Sequence, residues 1–418
     1  MSAEPKPAKI IDYDHHSREY AQTWPELTMR NAAECPVAKS EAHGGFWLLS
    51  GYAELTRAAR DTATFTTRHV IGEDSPYGGI TIPARDVFIV PEELDPPELL
   101  AYRTILNKLF GPQLVGTLRP FIAEVVGACI DEFCETGQAD LILDLANPAP
   151  AIVTLQLVGL PLNQWRDYAM PLHEHIYAPP GTELARQSYE AIVRILEHLR
   201  ELVPQRRADP KDDLLSTLTS STIDGAPISD DRIVDIAILV LLGGVDTTTT
   251  LIGNALHWLH QHPEARARLA ADRSLIKPAT EEFLRFFTPA QHVARTVTSD
   301  VDVDGYTLQA EDRVLLSLVA ANRDEKVFPD AGELRLDRFP NRHVAFGFGP
   351  HRCLGLHLAR AEFEIILEAV LDRLPDYVID EGNSERYPTA GHVPGWITLP
   401  CSFSPTDSLG FRNQASGE

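Results

Sequence analysis

Basic residues are scarce in this 418-residue chain: 37 Lys and Arg stand against 60 Asp and Glu, for a formal net charge of −23 at pH 7. A surface of that sign repels nucleic acid and anionic membranes, which argues against both as partners. Cysteines are few and odd in number, at positions 35, 129, 134, 353 and 401. They give no disulfide framework and fit a reducing compartment. Cys129 and Cys134 read as packing residues. No uninterrupted run of 18 apolar residues occurs, and Met1–Lys9 lacks the basic-then-apolar order of a secretory leader. A soluble, cytoplasmic protein is expected. Gly/Ser linkers, low-complexity blocks and repeats are also missing. The length alone would allow two or three domains. With nothing to divide it, the chain reads as one large domain over residues 1–418, loosely held at about 1–10 and 405–418, with room for a core that encloses a cofactor.

Helical periods run through most of that length. Phe46-Trp47-Leu48-Leu49 reads as a strand, followed by a short helix over Leu55–Arg60. Residues 69–91 scatter Gly and Pro among apolar residues and are expected to form a mobile loop. Asp95-Pro96-Pro97 then opens a helix, with Asp at the cap and Pro in the first turn. Helices follow over about 114–135, 147–159, 163–177 and 183–203, broken by Pro161 and by Pro179-Pro180-Gly181. The longest pattern runs from Ser229 to Trp258, about thirty residues, and is apolar on nearly all sides between Ile233 and Leu242, so it should cross the interior. A helix over Thr280–Phe287 and alternating runs at 292–316 and 392–403 complete a mainly α fold with small β-sheets.

The chemistry concentrates in Phe346-Gly347-Phe348-Gly349-Pro350-His351-Arg352-Cys353-Leu354-Gly355. Gly347 and Gly349 let the backbone turn tightly and approach a flat ligand. Cys353 precedes a helical pattern, where free N–H groups and the positive dipole end favour a thiolate that can ligate iron. Phe346 would cover one side of the sulfur, His351 can reach an anion, and Gly355 leaves room for a macrocycle. A buried structural cysteine beside a glycine-rich turn is the plainer reading. A second run, Gly243-Gly244-Val245-Asp246-Thr247-Thr248-Thr249-Thr250, weakens the long helix by propensity. It points to a local widening where one helical hydrogen bond opens, with Asp246 and Thr247 passing protons inward. A Thr-rich helix turning its hydroxyls on its own carbonyls would be the structural alternative.

The cysteine run is similar to the haem-binding signature of the cytochrome P-450 family, Phe-Gly-x-Gly-x-His/Arg-x-Cys-x-Gly, at every specified position. Gly243, Gly244, Asp246 and Thr247 match the family's Ala/Gly-Gly-x-Asp/Glu-Thr. Glu282 and Arg285 match its Glu-x-x-Arg, completed by Arg338, a structural set that orients the cysteine loop. Asp95 to Arg103 resembles Asp-Pro-Pro-Glu-His-x-x-x-Arg, with Leu99 where many members have histidine. The four motifs fall in the family's order across residues 45–403, and the missing membrane anchor points to the soluble bacterial type.

The resemblance implies a cytochrome P-450 fold with a long helix across a haem b (iron protoporphyrin IX). It implies Cys353 as the iron ligand, and Leu99, Arg103, Gly243, Thr247, Arg295, Phe346, Gly347, His351, Gly355 and Ala359 around the cofactor. Arg103, Arg295 and His351 would hold the propionates, and His343 would serve as a structural loop residue. The implied activity is hydroxylation or epoxidation of a mostly apolar small molecule with O2 and two electrons. A ferredoxin and its ferredoxin reductase would supply the electrons, docking through Lys108, Arg342, Arg352 and His357. Walls of the substrate pocket are expected at Ile80, Ile82, Met170, Ile176, Leu239, Gly243, Ala290, Val293, Val393 and Trp396. A peroxide-driven hydroxylase and a non-catalytic haem sensor remain as alternatives. A zinc site on Cys353, His351 and His357 lacks the paired spacings such sites show.

Overall fold

The computed structural model describes residues 6–70, 75–85, 88–179, 181–389, 391 and 393–411. The chain forms two compact units, one of Met1–Arg103, Glu281–Cys353 and Thr389–His392, the other of Thr104–Thr280, Leu354–Pro388 and Val393–Glu418.

The first unit is built on a five-stranded sheet in the order Val37–Ser40, Phe46–Leu49, Arg313–Ser317, His292–Val297, Phe65–Thr66. Arg313–Ser317 runs parallel to Phe46–Leu49 and antiparallel to His292–Val297, placing Leu315 opposite both Leu48 and Ala294. Successive side chains point to opposite faces, and both faces are covered. Trp47, Leu49, Val314 and Leu316 pack with Leu55, Ala58 and Ala59 of the helix Tyr52–Arg60. Phe46, Leu48, Ala294 and Leu315 pack with Tyr20 and Trp24 of the helix Arg18–Glu34. Burial on both sides is why Phe46-Trp47-Leu48-Leu49 is apolar throughout. The helix Arg18–Glu34 has no counterpart in the sequence reading. Pro25 lies inside it, and Ser17 opens it by accepting from the Tyr20 amide.

The second unit is helical. Its longest helix, Asp230–Gln261, spans 32 residues and is capped by Ser229, whose hydroxyl accepts from the Arg232 amide. Pro148–Val158, buried at every residue but Gln156, packs along it and ends at Gly159 in the left-handed region at φ 94°. Pro112–Asp131, Trp165–Tyr177, Glu183–Ala208 and Leu356–Arg373 follow the expected periods. Three helical stretches, Pro112–Asp131, Leu141–Val158 and Asp230–Gln261, reach membrane-spanning length and apolarity, but protein packing buries 39%, 83% and 61% of their apolar windows. The sequence holds no uninterrupted apolar run because glycine, threonine and isolated charges are spaced through these helices.

Several expectations change in detail. Residues 6–10 are held: the Lys6 amide donates to Gly305 O at 2.8 Å, and Lys39 and Lys9 pair at 2.9 Å. At the other end, the Thr406 amide donates to Cys134 O, and Asp131 accepts from the Leu409 and Phe411 amides. Residues 1–5 and 412–418 of the expected loose ends lie outside the described residues, as does Pro180 of the helix break. The expected mobile loop is fastened where it is described. The Arg313 guanidinium donates to the carbonyls of Gly78, Gly79 and Thr81, and the Glu93 carboxylate accepts from the Ile80 and Ile89 amides. Residues 71–74 and 86–87 of that loop lie outside the described residues. Asp95 does not cap the helix Glu98–Phe110 with its side chain. Its carboxylate is taken by the Thr66 hydroxyl and by the Thr67 amide and hydroxyl, while its carbonyl accepts from the Leu99 amide.

Candidate functional site

Two left-handed glycines shape the cysteine loop, Gly347 at φ 70° and Gly349 at φ 74°. A Cβ on Gly349 would collide with the Ala59 carbonyl, so that position admits glycine for space as well as for dihedral angle. The Cys353 amide donates to Phe346 O at 2.7 Å and the Gly347 amide to Val344 O at 2.8 Å, closing the loop on itself. Its base is tied down by Asn322, which accepts from the Val344 amide and donates to Thr288 Oγ1. Cys353 is partly exposed and forms no disulfide. It lies two residues before the cap of Leu356–Arg373, which is Gly355, whose carbonyl accepts from the Ala359 amide at 2.9 Å. Of the other cysteines, Cys129 and Cys401 have thiols pushed up to about 12, chiefly by burial, so neither offers a thiolate near neutral pH.

Around this loop the first unit gathers cationic groups. Arg295 is 3% exposed; its Nη1 donates to the Ala294 carbonyl, but its Nε is buried without a hydrogen-bond partner among the described residues. His351 is pushed down to about 3 by burial, with the charges of Arg295 and Arg103 adding to the shift. Thr67 Oγ1 sits 3.5 Å from its Nε2. Burial lowers Arg103 as well, opposed by the negative charge that Cys353 and Glu92 would carry. An orphaned buried guanidinium N–H beside a histidine held neutral chiefly by burial makes a site suited to an anion. A ligand with carboxylate groups fits it. Leu99 is buried at 1% exposure and adds no polar group.

The clamp behind the loop is complete. Glu282 Oε2 and Oε1 accept from Arg285 Nε and Nη2 at 2.8 Å each, and Arg338 Nε reaches both oxygens at 2.9 and 3.0 Å. Glu282 and Arg285 are fully buried. His343 donates from Nε2 to Glu281 at 3.0 Å and stacks obliquely near Phe346, which fits a structural role.

In the second unit, Asp230–Gln261 is α-helical throughout, so the expected widening at Gly243–Thr250 is not part of this structure. Thr247 Oγ1 instead donates to Gly243 O at 2.9 Å, and Thr249 Oγ1 to the carbonyls of Val245 and Ala146. Thr247 and Thr249 thus bond back to the carbonyls four residues earlier, and Thr249 also reaches Ala146 O of the neighbouring stretch. Space at the two glycines differs sharply: a Cβ on Gly244 would strike Thr154, while nothing lies within 4 Å of one on Gly243. Gly243 and the partly exposed Thr247 therefore stand on the open face of a helix buried elsewhere.

Asp246 is 1% exposed and belongs to a cluster that sequence reasoning missed. Its Oδ1 accepts from His173 Nδ1 at 2.6 Å and from the Tyr387 hydroxyl at 2.8 Å, and Tyr387 and His173 are themselves 3.1 Å apart. Burial and the Asp246 carboxylate push Tyr387 well above its ordinary value, so it stays a donor. Nothing in the spacing of 173, 246 and 387 joins them. The one available signal was the pair His173 and His175 between Met170 and Ile176.

The expected pocket residues divide. Leu239, Met170, Ile176, Ile80, Ala290 and Val293 are partly exposed, as lining residues would be. Ile82 is a correction: at 3% exposure it packs into the core with Tyr13, Tyr20 and Trp24. Trp396 is committed too, its indole Nε1 donating to Asn254 Oδ1 at 3.1 Å under the Arg386 guanidinium, and Val393 is buried nearby in sequence.

The sequence model of the family described as Cytochrome P450 matches residues 163–377. Among curated relatives, the Steroid C26-monooxygenase of Mycolicibacterium smegmatis is 35% identical over 318 residues, covering 75% of this chain and 79% of that one. The Cyclomarin C epoxidase CymV of Salinispora arenicola is 33% identical, covering 85% and 90%. Among solved structures, CYP109E1 from Bacillus megaterium in complex with testosterone superposes with a TM-score of 0.82 at 25% identity, covering 93% of this chain and 99% of that one. The chain belongs to the cytochrome P-450 family. It is a monooxygenase for apolar small molecules, of the bacterial type, and that membership implies a haem-thiolate cofactor, O2 and a redox partner.

Proposed function

We propose that Cys353 would supply the thiolate that holds the iron of a haem b, and that the enzyme hydroxylates or epoxidises a compact, polycyclic apolar substrate of steroid-like size. The observation that carries this reading is the Gly347/Gly349 loop presenting an unbridged, partly exposed cysteine. Haem b supplies oxygen activation when bound. Arg295, Arg103 and His351 would hold its propionates: the orphaned Arg295 Nε would gain an acceptor, and His351 a negative neighbour beside its two positive ones. The resemblance assigns Phe346, Gly347, Leu99, Gly355, Ala359 and Gly243 to the surroundings of the cofactor, where they would make no polar demand, and Thr247 and Asp246 would deliver protons. The named activities of the mycobacterial relative and the testosterone-bound neighbour support the substrate class. The family resemblance assigns its apolar walls to Ile80, Ala290 and Val293 of the first unit and to Met170, Ile176, Leu239 and Val393 of the second. Residues 1–418 act as one catalytic domain in the cytoplasm.

The test is spectroscopic. Reduced protein under carbon monoxide should show the red-shifted band of a thiolate trans to the gas, and Cys353→Ala should lose it. An unchanged band in that variant removes Cys353 as the ligand. Steroids should displace the iron-bound water in a spectral titration, and a response confined to polyanionic compounds overturns the substrate class.

The electron donor in this reading is a ferredoxin, served by its reductase. Two acidic proteins repel at random encounter, so docking needs local positive charge. Arg342 and Arg352 are exposed and precede Cys353 closely in sequence, His357 follows it and is partly exposed, and the exposed Lys108 stands on the helix Glu98–Phe110. Reversing Lys108 and Arg352 to Glu should slow reduction by ferredoxin, while reduction by dithionite stays unchanged. Rising salt should weaken the wild-type rate in the same manner. Ferredoxin-supported rates that ignore both changes would place the donor elsewhere.

A further inference from the structure

Far from the cysteine loop in sequence, Asp14-His15-His16 closes the segment ahead of the helix Arg18–Glu34, and His43 sits on the turn Ala42–Gly44. That turn is bent by three consecutive left-handed residues, His43 at φ 51°, Gly44 at 85° and Gly45 at 93°. It brings His43 against the other two histidines. The ring centroids are 4.2 Å apart for His15 and His16, 5.3 Å for His16 and His43, and 5.7 Å for His15 and His43. One nitrogen from each of the three rings lies within 4.8 Å of the other two.

The hydrogen bonds fix the tautomers of two of the rings. His16 Nε2 stands 2.9 Å from the Ile82 carbonyl and His43 Nε2 stands 2.8 Å from Asp14 Oδ1. Both acceptors are oxygens without a proton, so each Nε2 carries the hydrogen and, in the neutral ring, each Nδ1 carries the lone pair. Ligating histidines are held in this way, the second nitrogen donating to a carbonyl or a carboxylate. Burial pushes His15 down to about 3 and also lowers His16, so these two stay uncharged at neutral pH. His292 lies 5.2 Å from His15, but its Nε2 is engaged by the Tyr13 hydroxyl at 2.6 Å. Of the nearby charges, Asp14 favours a cation and Arg85 opposes one.

We propose that His15, His16 and His43 form a binding site for a borderline divalent transition metal of the zinc type, with Asp14 orienting His43. Three imidazoles suit zinc, nickel or copper over the oxygen-seeking calcium and magnesium. Tetrahedral zinc with bonds of about 2.0–2.1 Å draws its nitrogens to roughly 3.4 Å, so the exposed His43 and half-exposed His16 close in by about 1 Å. The bound ion ties the segment before Arg18–Glu34 to the 42–44 turn and, through His16, to the Ile82 backbone. It thereby fastens the stretch that carries Ile80.

Tag-free, chelator-stripped protein should bind zinc at one equivalent per chain in calorimetry and metal analysis, with its melting temperature rising as zinc is added. His43→Asn, chosen because asparagine tolerates a left-handed backbone, and His16→Ala should each abolish that binding. Asp14→Asn should weaken it by about 10–100-fold. The carbon monoxide band should be unchanged in all three variants, so the haem assignment is judged separately. Absence of saturable binding below about 1 mM zinc, or equal binding in wild type, His43→Asn and His16→Ala, overturns the site.

Discussion

Replacing Arg285 by leucine should cost about 3–5 kcal/mol and lower the melting temperature by on the order of 10 °C. The expectation follows from the accounting of one buried carboxylate. Glu282 accepts from Arg285 twice, from Arg338, from Asn341 Nδ2 and from the Arg335 amide, with no solvent contact. Arg285 in turn supplies the donors for the carbonyls of Asn322, Ala331 and Glu333. Leucine would leave the carboxylate short of two charge-assisted bonds and orphan the buried carbonyls of Asn322 and Ala331, while Glu333 O keeps the Arg338 Nη2 donor. Lysine does not repair this, because its single ammonium cannot make the bidentate pair and reach the carbonyls as well. The loss should spread to the cysteine loop, since Asn322, whose carbonyl Arg285 holds, also pins Val344. Calorimetry and cofactor content read the two effects independently. A variant that melts within about 2 °C of wild type and retains full haem would show that the clamp is dispensable.

This clamp illustrates what sequence could and could not reveal. Glu282 and Arg285, three apart on one helical face, look like any surface pair. Only the family pattern marked them as buried, and the structure shows Arg338 arriving from 53 residues beyond Arg285 to complete the set. Elements with strong local signals were legible: the Ser229-capped helix, the all-apolar strand Phe46–Leu49, and the glycines that bend the cysteine loop. The helix Arg18–Glu34 was not, because its polar composition and internal Pro25 hide a face that packs on the sheet. The Asp95 cap failed for a related reason, since Thr66 and Thr67 compete for the same carboxylate through tertiary contact. The Gly-Thr run in the long helix reads from sequence as a local widening where one hydrogen bond opens. Propensity does weaken it there, but Thr249 is satisfied by Ala146 from a packed neighbour, and tertiary packing prevails over the local preference.

The largest effect on turnover is expected from the Asp246 cluster. Asp246→Asn should lower the coupled rate by roughly 10²–10⁴-fold, the contribution typical of a positioned acid–base group. The fold should survive, because the amide oxygen can still accept from His173 Nδ1 and the Tyr387 hydroxyl, the two donors that now hold Asp246 Oδ1. What the amide cannot do is take a proton at one oxygen and give it up toward Thr247. Thr247→Ala differs in kind. It removes a hydroxyl whose proton rests on Gly243 O at 2.9 Å but leaves the acid in place. Substrate and haem should still bind. Protons then no longer arrive in step with electrons, so reducing equivalents should end as hydrogen peroxide. The remaining Asp246 oxygen, Oδ2, and His173 Nε2 are both buried without hydrogen-bond partners among the described residues, so the cluster is short of contacts on two sides. That arrangement makes His173 a positioning group for the acid. His173→Gln should shift the pH profile of turnover and raise peroxide release, whereas Tyr387→Phe, which removes one donor and no base, should change the rate far less. Product formed per electron consumed, measured across pH for all four variants, separates these outcomes. If Asp246→Asn and Thr247→Ala keep the wild-type rate and coupling, protons reach the reaction by another route and the cluster serves only to pack Trp165–Tyr177 against the long helix.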